Sequence, residues 1–174
     1  MNGLLPPDII ELAQTVVDAH REMGTTIAVA ESCTGGLVAA ALTEIPGSSA
    51  VLDRAFISYS NDAKMEMLDV PSDLIETFGA VSVAVAWSMA QGAIANSSAD
   101  LAVAITGIAG PDGGSDLKPV GTVVFARARK KDAEDTEPHA ELKKFECTTR
   151  PEVRHQAAIC ALELLLPRSY TQQA

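Results

Sequence analysis

One junction constrains this chain more than any other feature. Residues 30–36, Ala-Glu-Ser-Cys-Thr-Gly-Gly, close a β-branched run and open an apolar helical one. Thr25, Ile27 and Val29 favour a strand, whereas Leu37 to Leu42 read as the first turns of a helix. Between them stand two side-chain nucleophiles, Ser32 and Cys33, the hydroxyl of Thr34, and two glycines, Gly35 and Gly36, whose backbone can approach a ligand closely. Unpaired N–H groups at a helix start, reinforced by the helix dipole, suit a phosphate, a carboxylate or a developing oxyanion. A hydroxyl held there can attack a carbonyl and have its oxyanion received by neighbouring amides. The plainer alternative is that Ser32 caps the helix.

The rest of the chain supplies a framework for that junction. Residues 8–23 place Ile9, Ala13, Val16, Val17 and Met23 on one helical face, ended by Gly24. Strands are expected at about 25–30, 55–60, 101–106, 120–129 and 140–147, the last two joined as a hairpin by the acidic loop 131–138. Asn61 is a candidate cap for a short helix to Leu68, and Pro71 to Phe78 forms another. The run 81–94 fits either period; its length and lack of a turn signal favour a helix capped by Ser82. A last helix runs from Pro151 to Leu166, burying Val153, Ala157, Cys160, Ala161, Leu164 and Leu165. This alternation implies a three-layer α/β/α sandwich around a mixed sheet of about five strands, with the 120–129 strand antiparallel. With 174 residues, one domain over 1–166 and a disordered tail over 167–174 are expected.

Composition excludes several function classes. Apolar residues make up 47% and charged residues 21%, as in a globular domain, and no run of about 18 apolar residues suggests a membrane span. The net charge of −10, without a basic stripe, argues against nucleic acid. The N-terminal residues lack the basic start and apolar core of a signal peptide. Cys33, Cys147 and Cys160 are widely spaced and fit reduced thiols, so a cytoplasmic location is expected. Three histidines without metal-ligand spacing predict no metal site, and no cofactor is expected.

In sheets of this kind ligands gather beyond the carboxyl ends of the parallel strands. Those ends are Glu31-Ser32, Ser58-Tyr59-Ser60 and Thr106-Gly107, three hydroxyl-rich segments on one rim. The second continues as Asn61-Asp62-Ala63-Lys64. Lys64 is a base only when neutral, which burial promotes, and serine–lysine pairs are a hydrolytic alternative to Ser–His–Asp. Alone it reads equally as a solvated helix lysine. The third continues through Gly110, Gly113 and Gly114, a backbone-rich loop that can cradle a ligand or simply cross over. Arg150 and Arg154, one turn apart, can clamp an anion or lie on the surface. Cys33 is the rival nucleophile, but no rim motif contains a histidine to activate it.

Taken in order, A-E-S-C-T-G-G, Y-S-N-D-A-K, G-A-V-S and T-G-I-A-G-P-D-G-G-S-x-x-K-P-V-G resemble the C-terminal domain family of the CinA proteins. The resemblance covers residues 8–166 and is closest to the stand-alone, PncC-type nicotinamide-nucleotide amidases. It implies hydrolysis of nicotinamide mononucleotide to nicotinate mononucleotide and ammonia, within pyridine-nucleotide salvage. It also implies the α/β/α fold, with Ser32 as nucleophile, Lys64 as base and Tyr59 as an assisting hydroxyl. Larger CinA proteins carry a further N-terminal domain, whose chemistry is not expected here. Two other classes stay open: a nucleotide-binding module without catalysis, and a partner-binding protein with a relic site. A homodimer is the default oligomer.

Overall fold

Proline at its first position starts helix α1 (Pro7–Met23), and Gly24, at φ 62°, ends it. The chain is described as a computed structural model over residues 4–131, 139–146 and 149–167. The buried face of α1 holds Ile9, Ala13, Val16 and Val17, but it closes on Ala19 and His20 rather than on Met23, which is exposed.

Five strands follow: β1 (Ile27–Glu31), β2 (Leu52–Ile57), β3 (Leu101–Gly107), β4 (Thr122–Arg129) and β5 (His139–Lys144). They form one mixed sheet in the order β2-β1-β3-β4-β5. β1 runs parallel to both neighbours, with Val29 opposite Ala55 and Val103, whereas β4 is antiparallel to β3 and β5. Helices α2 (Leu37–Glu44), α3 (Asn61–Leu68), α4 (Ser72–Phe78), α5 (Val83–Ala95) and α6 (Arg150–Leu165) complete the α/β/α sandwich.

The period-two alternation of the strands sorts the core by size. Ile27, Val29, Val103, Ile105 and Phe125 face one way and pack with α1, α2 and α6. Ala28, Ala30, Ala102, Ala104 and Ala126 face the other way and pack with α5, where small side chains let the helix approach the sheet. The segment of ambiguous period is helical, with Ser82 Oγ accepting from the Val85 amide at 3.3 Å. Helix α6 opens on a capping box between Thr149 and Glu152. Its buried stripe adds Ala158 and Leu162, while Leu164 is only partly covered.

Several expected boundaries move. β1 is 27–31 rather than 25–30. β2 lies three residues earlier than expected, because its pairing with β1 ends at Ile57 opposite Glu31. The freed segment Ser58–Ser60 becomes the connection to α3, and Ser60, not Asn61, caps that helix by accepting from the Ala63 amide at 3.0 Å. β4 starts at Thr122 because Gly121, at φ 92°, turns the chain just before it. β5 ends at Lys144. Cys147, most of the acidic loop (132–138) and the tail from 168 lie outside the described residues.

Candidate functional site

The three parallel strand ends converge on a cavity of about 230 Å³ at the carboxyl edge of the sheet. From the first come Ser32 and Cys33; from the second, Tyr59, Asn61 and Lys64; from the third, Thr106 and Gly107. Arg150, at the start of α6, is the last of the expected residues that line it. Ala80, Val81 and Ala109 also line the cavity, and residue type alone does not single them out. These three are small or apolar and carry no chemical signature, though Ala80 and Val81 lie in the quoted G-A-V-S motif and Ala109 in the quoted glycine-rich one.

Lys64 organises the centre. It sits in the first turn of α3, is 1% exposed, and points its Nζ back toward β1. Nζ lies 3.1 Å from Ser32 Oγ, 3.1 Å from the Ser58 and Tyr59 carbonyls, and 3.4 Å from that of Ser60. Among the described residues no carboxylate pairs with it and none lines the cavity. Burial lowers the Lys64 pKa below the ordinary lysine range, opposed only by the nearby Cys33 sulfur. A neutral amine keeps two N–H donors for carbonyls and frees one lone pair, which can accept the Ser32 hydroxyl proton. Lys64 is therefore not a solvated helix lysine.

Burial acts on Cys33 in the opposite sense, pushing its thiol up to about 11. A thiol so held is a neutral small residue at neutral pH. Its Sγ also helps explain Gly107. A Cβ there would come within 2.8 Å of Val123 and 3.1 Å of the Cys33 sulfur, so only glycine leaves both in place.

At the junction one alternative is excluded and one expectation is corrected. Ser32 does not cap α2; the cap position is Gly36, at φ 94°, with no capping side chain of its own. Nor do the first amides of α2 stand open for a ligand. The carboxylate of Glu31 (0% exposed) accepts from the amides of Gly36 at 3.0 Å, Val38 at 3.2 Å and Ala39 at 2.8 Å. Leu37 donates to Thr34 and Gly35 to Ser32. Among the described residues, only the Cys33 and Thr34 amides of this turn lack a protein acceptor.

The arginine pair divides. Arg150 donates from Nη1 to the Gly110 carbonyl and from Nη2 to the Tyr59 hydroxyl, both at 2.8 Å, across the cavity mouth. Arg154 turns away and donates at 2.8 Å to the Thr34 carbonyl, beside Gly35. It does not line the cavity, nor do Thr34, Gly35, Gly36, Gly110, Gly113 and Gly114. Thr34 is wholly buried, and Gly114 packs under Val120, so the glycine loop flanks the cavity rather than cradling its contents.

These features define a class: an α/β/α domain with a buried serine–lysine contact at the carboxyl edge of a mixed sheet. The family model of the CinA C-terminal domain matches residues 9–168, and the chain belongs to that family. It is 45% identical over 160 residues to the nicotinamide-nucleotide amidohydrolase PncC of Escherichia coli K12, covering 91% of this chain and 93% of that protein. A CinA-like protein of Chlorobium limicola is 55% identical over 120 residues, which are 69% of this chain and 28% of that one. The chain thus spans less than a third of such longer relatives. The crystal structure of competence/damage inducible protein CihA from Agrobacterium tumefaciens matches with a TM-score of 0.88 at 47% identity, covering 94% of this chain and 96% of that one. No helix among the described residues is long and apolar enough to cross a membrane.

Proposed function

We propose that this chain hydrolyses the carboxamide of nicotinamide mononucleotide, giving nicotinate mononucleotide and ammonia within pyridine-nucleotide salvage. The similarity to PncC over nearly the whole of both chains supports the substrate. The observation that carries the chemistry is the 3.1 Å contact between Ser32 Oγ and a Lys64 Nζ that is 1% exposed and unpaired with any carboxylate among the described residues.

In this reading neutral Lys64 removes the Ser32 proton as Oγ attacks the carboxamide carbon. The oxyanion is received by the amides of Cys33 and Thr34, the two the turn leaves without protein acceptors. As the tetrahedral intermediate collapses, the C–N bond breaks and Lys64 returns its proton to the leaving nitrogen, which departs as ammonia. Lys64 then takes a proton from water as it attacks the Ser32 ester. That bond breaks, Ser32 recovers its proton, and the carboxylate product leaves.

The site's charge suits the substrate. Its fixed cation, Arg150, faces a cavity that no carboxylate among the described residues lines, in a chain of net charge −10. A cavity of about 230 Å³ is smaller than the usual 300–1,000 Å³ ligand pocket. It takes the amide-bearing ring and leaves the phosphate toward the mouth, near Arg150, with Tyr59 steering the guanidinium through its hydroxyl. The decisive measurement is ammonia release from nicotinamide mononucleotide by the purified chain, with Ser32→Ala as control. Ligand-induced thermal stabilisation without ammonia would refute the reading and leave a binding module.

A further inference from the structure

The nucleophile turn is held at both electrical ends by charged side chains outside the reacting set. Glu31 is the last residue of β1, wholly buried between β2 and β3, and directly precedes Ser32. Its side chain curls under the turn, so that Oε2 takes the amides of Gly36 and Val38 and Oε1 takes that of Ala39. These are the cap, second and third positions of α2, amides that would otherwise lack acceptors. Gly36 offers no side chain to cap them, so a carboxylate five residues upstream performs that task. On the other side Arg154, partly buried on α6, holds the Thr34 carbonyl at 2.8 Å. The turn is thereby closed into a ring: carboxylate on its amides, guanidinium on its carbonyl, Ser32 at its first position.

We infer that Glu31, with Arg154 as its counterpart, is a positioning residue that sets Ser32 Oγ against Lys64 and aims the Cys33 and Thr34 amides. This rests on the reading of Ser32 as nucleophile. Glu31 also acts as the resident anion of the α2 N-terminus, which closes that dipole end to the substrate and leaves the substrate's negative charge to the mouth at Arg150. Neither side chain lines the cavity.

The test reads the reactivity of Ser32 directly, without the proposed substrate. A fluorophosphonate probe transfers its phosphonyl group to a reactive serine: the Oγ–P bond forms, the P–F bond breaks, fluoride leaves, and the serine proton passes to Lys64. Glu31→Gln keeps the shape but sets an NH2 group against backbone N–H donors. With about an ångström of misplacement costing on the order of 100-fold, its labelling rate should fall that far. Arg154→Met should fall about tenfold at an unchanged melting temperature, which covers the case in which the Glu31→Gln chain does not fold. Leu42→Ala, a cavity elsewhere in α2, supplies the control, since a merely destabilised protein should label Ser32 at the parental rate. In steady state both variants should lower kcat and leave KM for nicotinamide mononucleotide unchanged. If folded Glu31→Gln or Arg154→Met labels as fast as the parent, the inference is wrong while the nucleophile stands. A parent chain that is not labelled at Ser32 overturns both.

Discussion

Lys64 offers the most exacting test of the proposed chemistry. An ordinary lysine, with a pKa of about 10.4, is neutral in roughly one molecule per thousand at pH 7.4. Burial lowers the Lys64 pKa, and each unit of that depression raises the neutral fraction about tenfold, so the burial of this side chain is itself a source of rate. The sign follows: the active form is deprotonated, so kcat/KM should rise with pH, along a limb lying below the ordinary lysine range. Lys64→Met removes the base, and the rate should fall by about 10²–10⁴-fold, the usual contribution of positioned acid–base catalysis. Lys64→Arg should fail as fully, because a guanidinium stays protonated throughout the working range. Ammonia release from nicotinamide mononucleotide, measured from pH 6 to 10 in parent and variants, decides the matter. Ligand-induced melting shifts establish that the variants still bind. If arginine restores most of the activity, or the rising limb survives in Lys64→Met, the lysine supplies only charge. The base must then be found elsewhere, Tyr59 first.

Ser32→Ala should abolish turnover while keeping nucleotide-induced stabilisation, and Cys33→Ala should retain most activity, since its thiol is held near 11; the converse pattern would make the enzyme thiol-dependent. Arg150→Ala should erode the preference for nicotinamide mononucleotide over nicotinamide riboside by roughly 10- to 150-fold, the equivalent of 1.5–3 kcal/mol for one charge-assisted contact. An unchanged ratio would move the phosphate elsewhere. His20 gives a stability prediction. Its Nε2–H donates to the Leu165 carbonyl at 2.7 Å, its Nδ1 lies 2.8 Å from the Thr25 hydroxyl, and burial lowers its pKa below 6.5. Below pH 6.5 the unfolded chain takes the proton more readily than the folded one, so this contribution is complete above 6.5 and is lost as pH falls toward the folded value. His20→Gln should melt with a shallower pH dependence over that range, as scanning calorimetry would read; an equal slope would refute it.

What the sequence discloses divides along one physical line. Side chains that meet other side chains, or that converge because strand ends converge, leave a pattern in residue types. Ser32, Tyr59 and Thr106 are legible in this way, as is the alternation that builds the sandwich. Groups that act on the backbone leave almost none. Lys64 is legible as a candidate base one turn beyond a strand end, but its cradle is not: it is held by the carbonyls of Ser58, Tyr59 and Ser60, and any three residues would present the same oxygens. Arg154 reads as half of an anion clamp because its spacing from Arg150 is one helical turn, whereas its ligand is the Thr34 carbonyl. Glu31 escapes notice for the same reason, its partners being the amides of Gly36, Val38 and Ala39. A signal for it nevertheless exists. A helix that begins after two glycines has no side-chain cap, yet its first amides need acceptors. A glutamate ending a strand that the neighbouring apolar runs bury needs donors just as much. The two deficits lie five residues apart, and each answers the other.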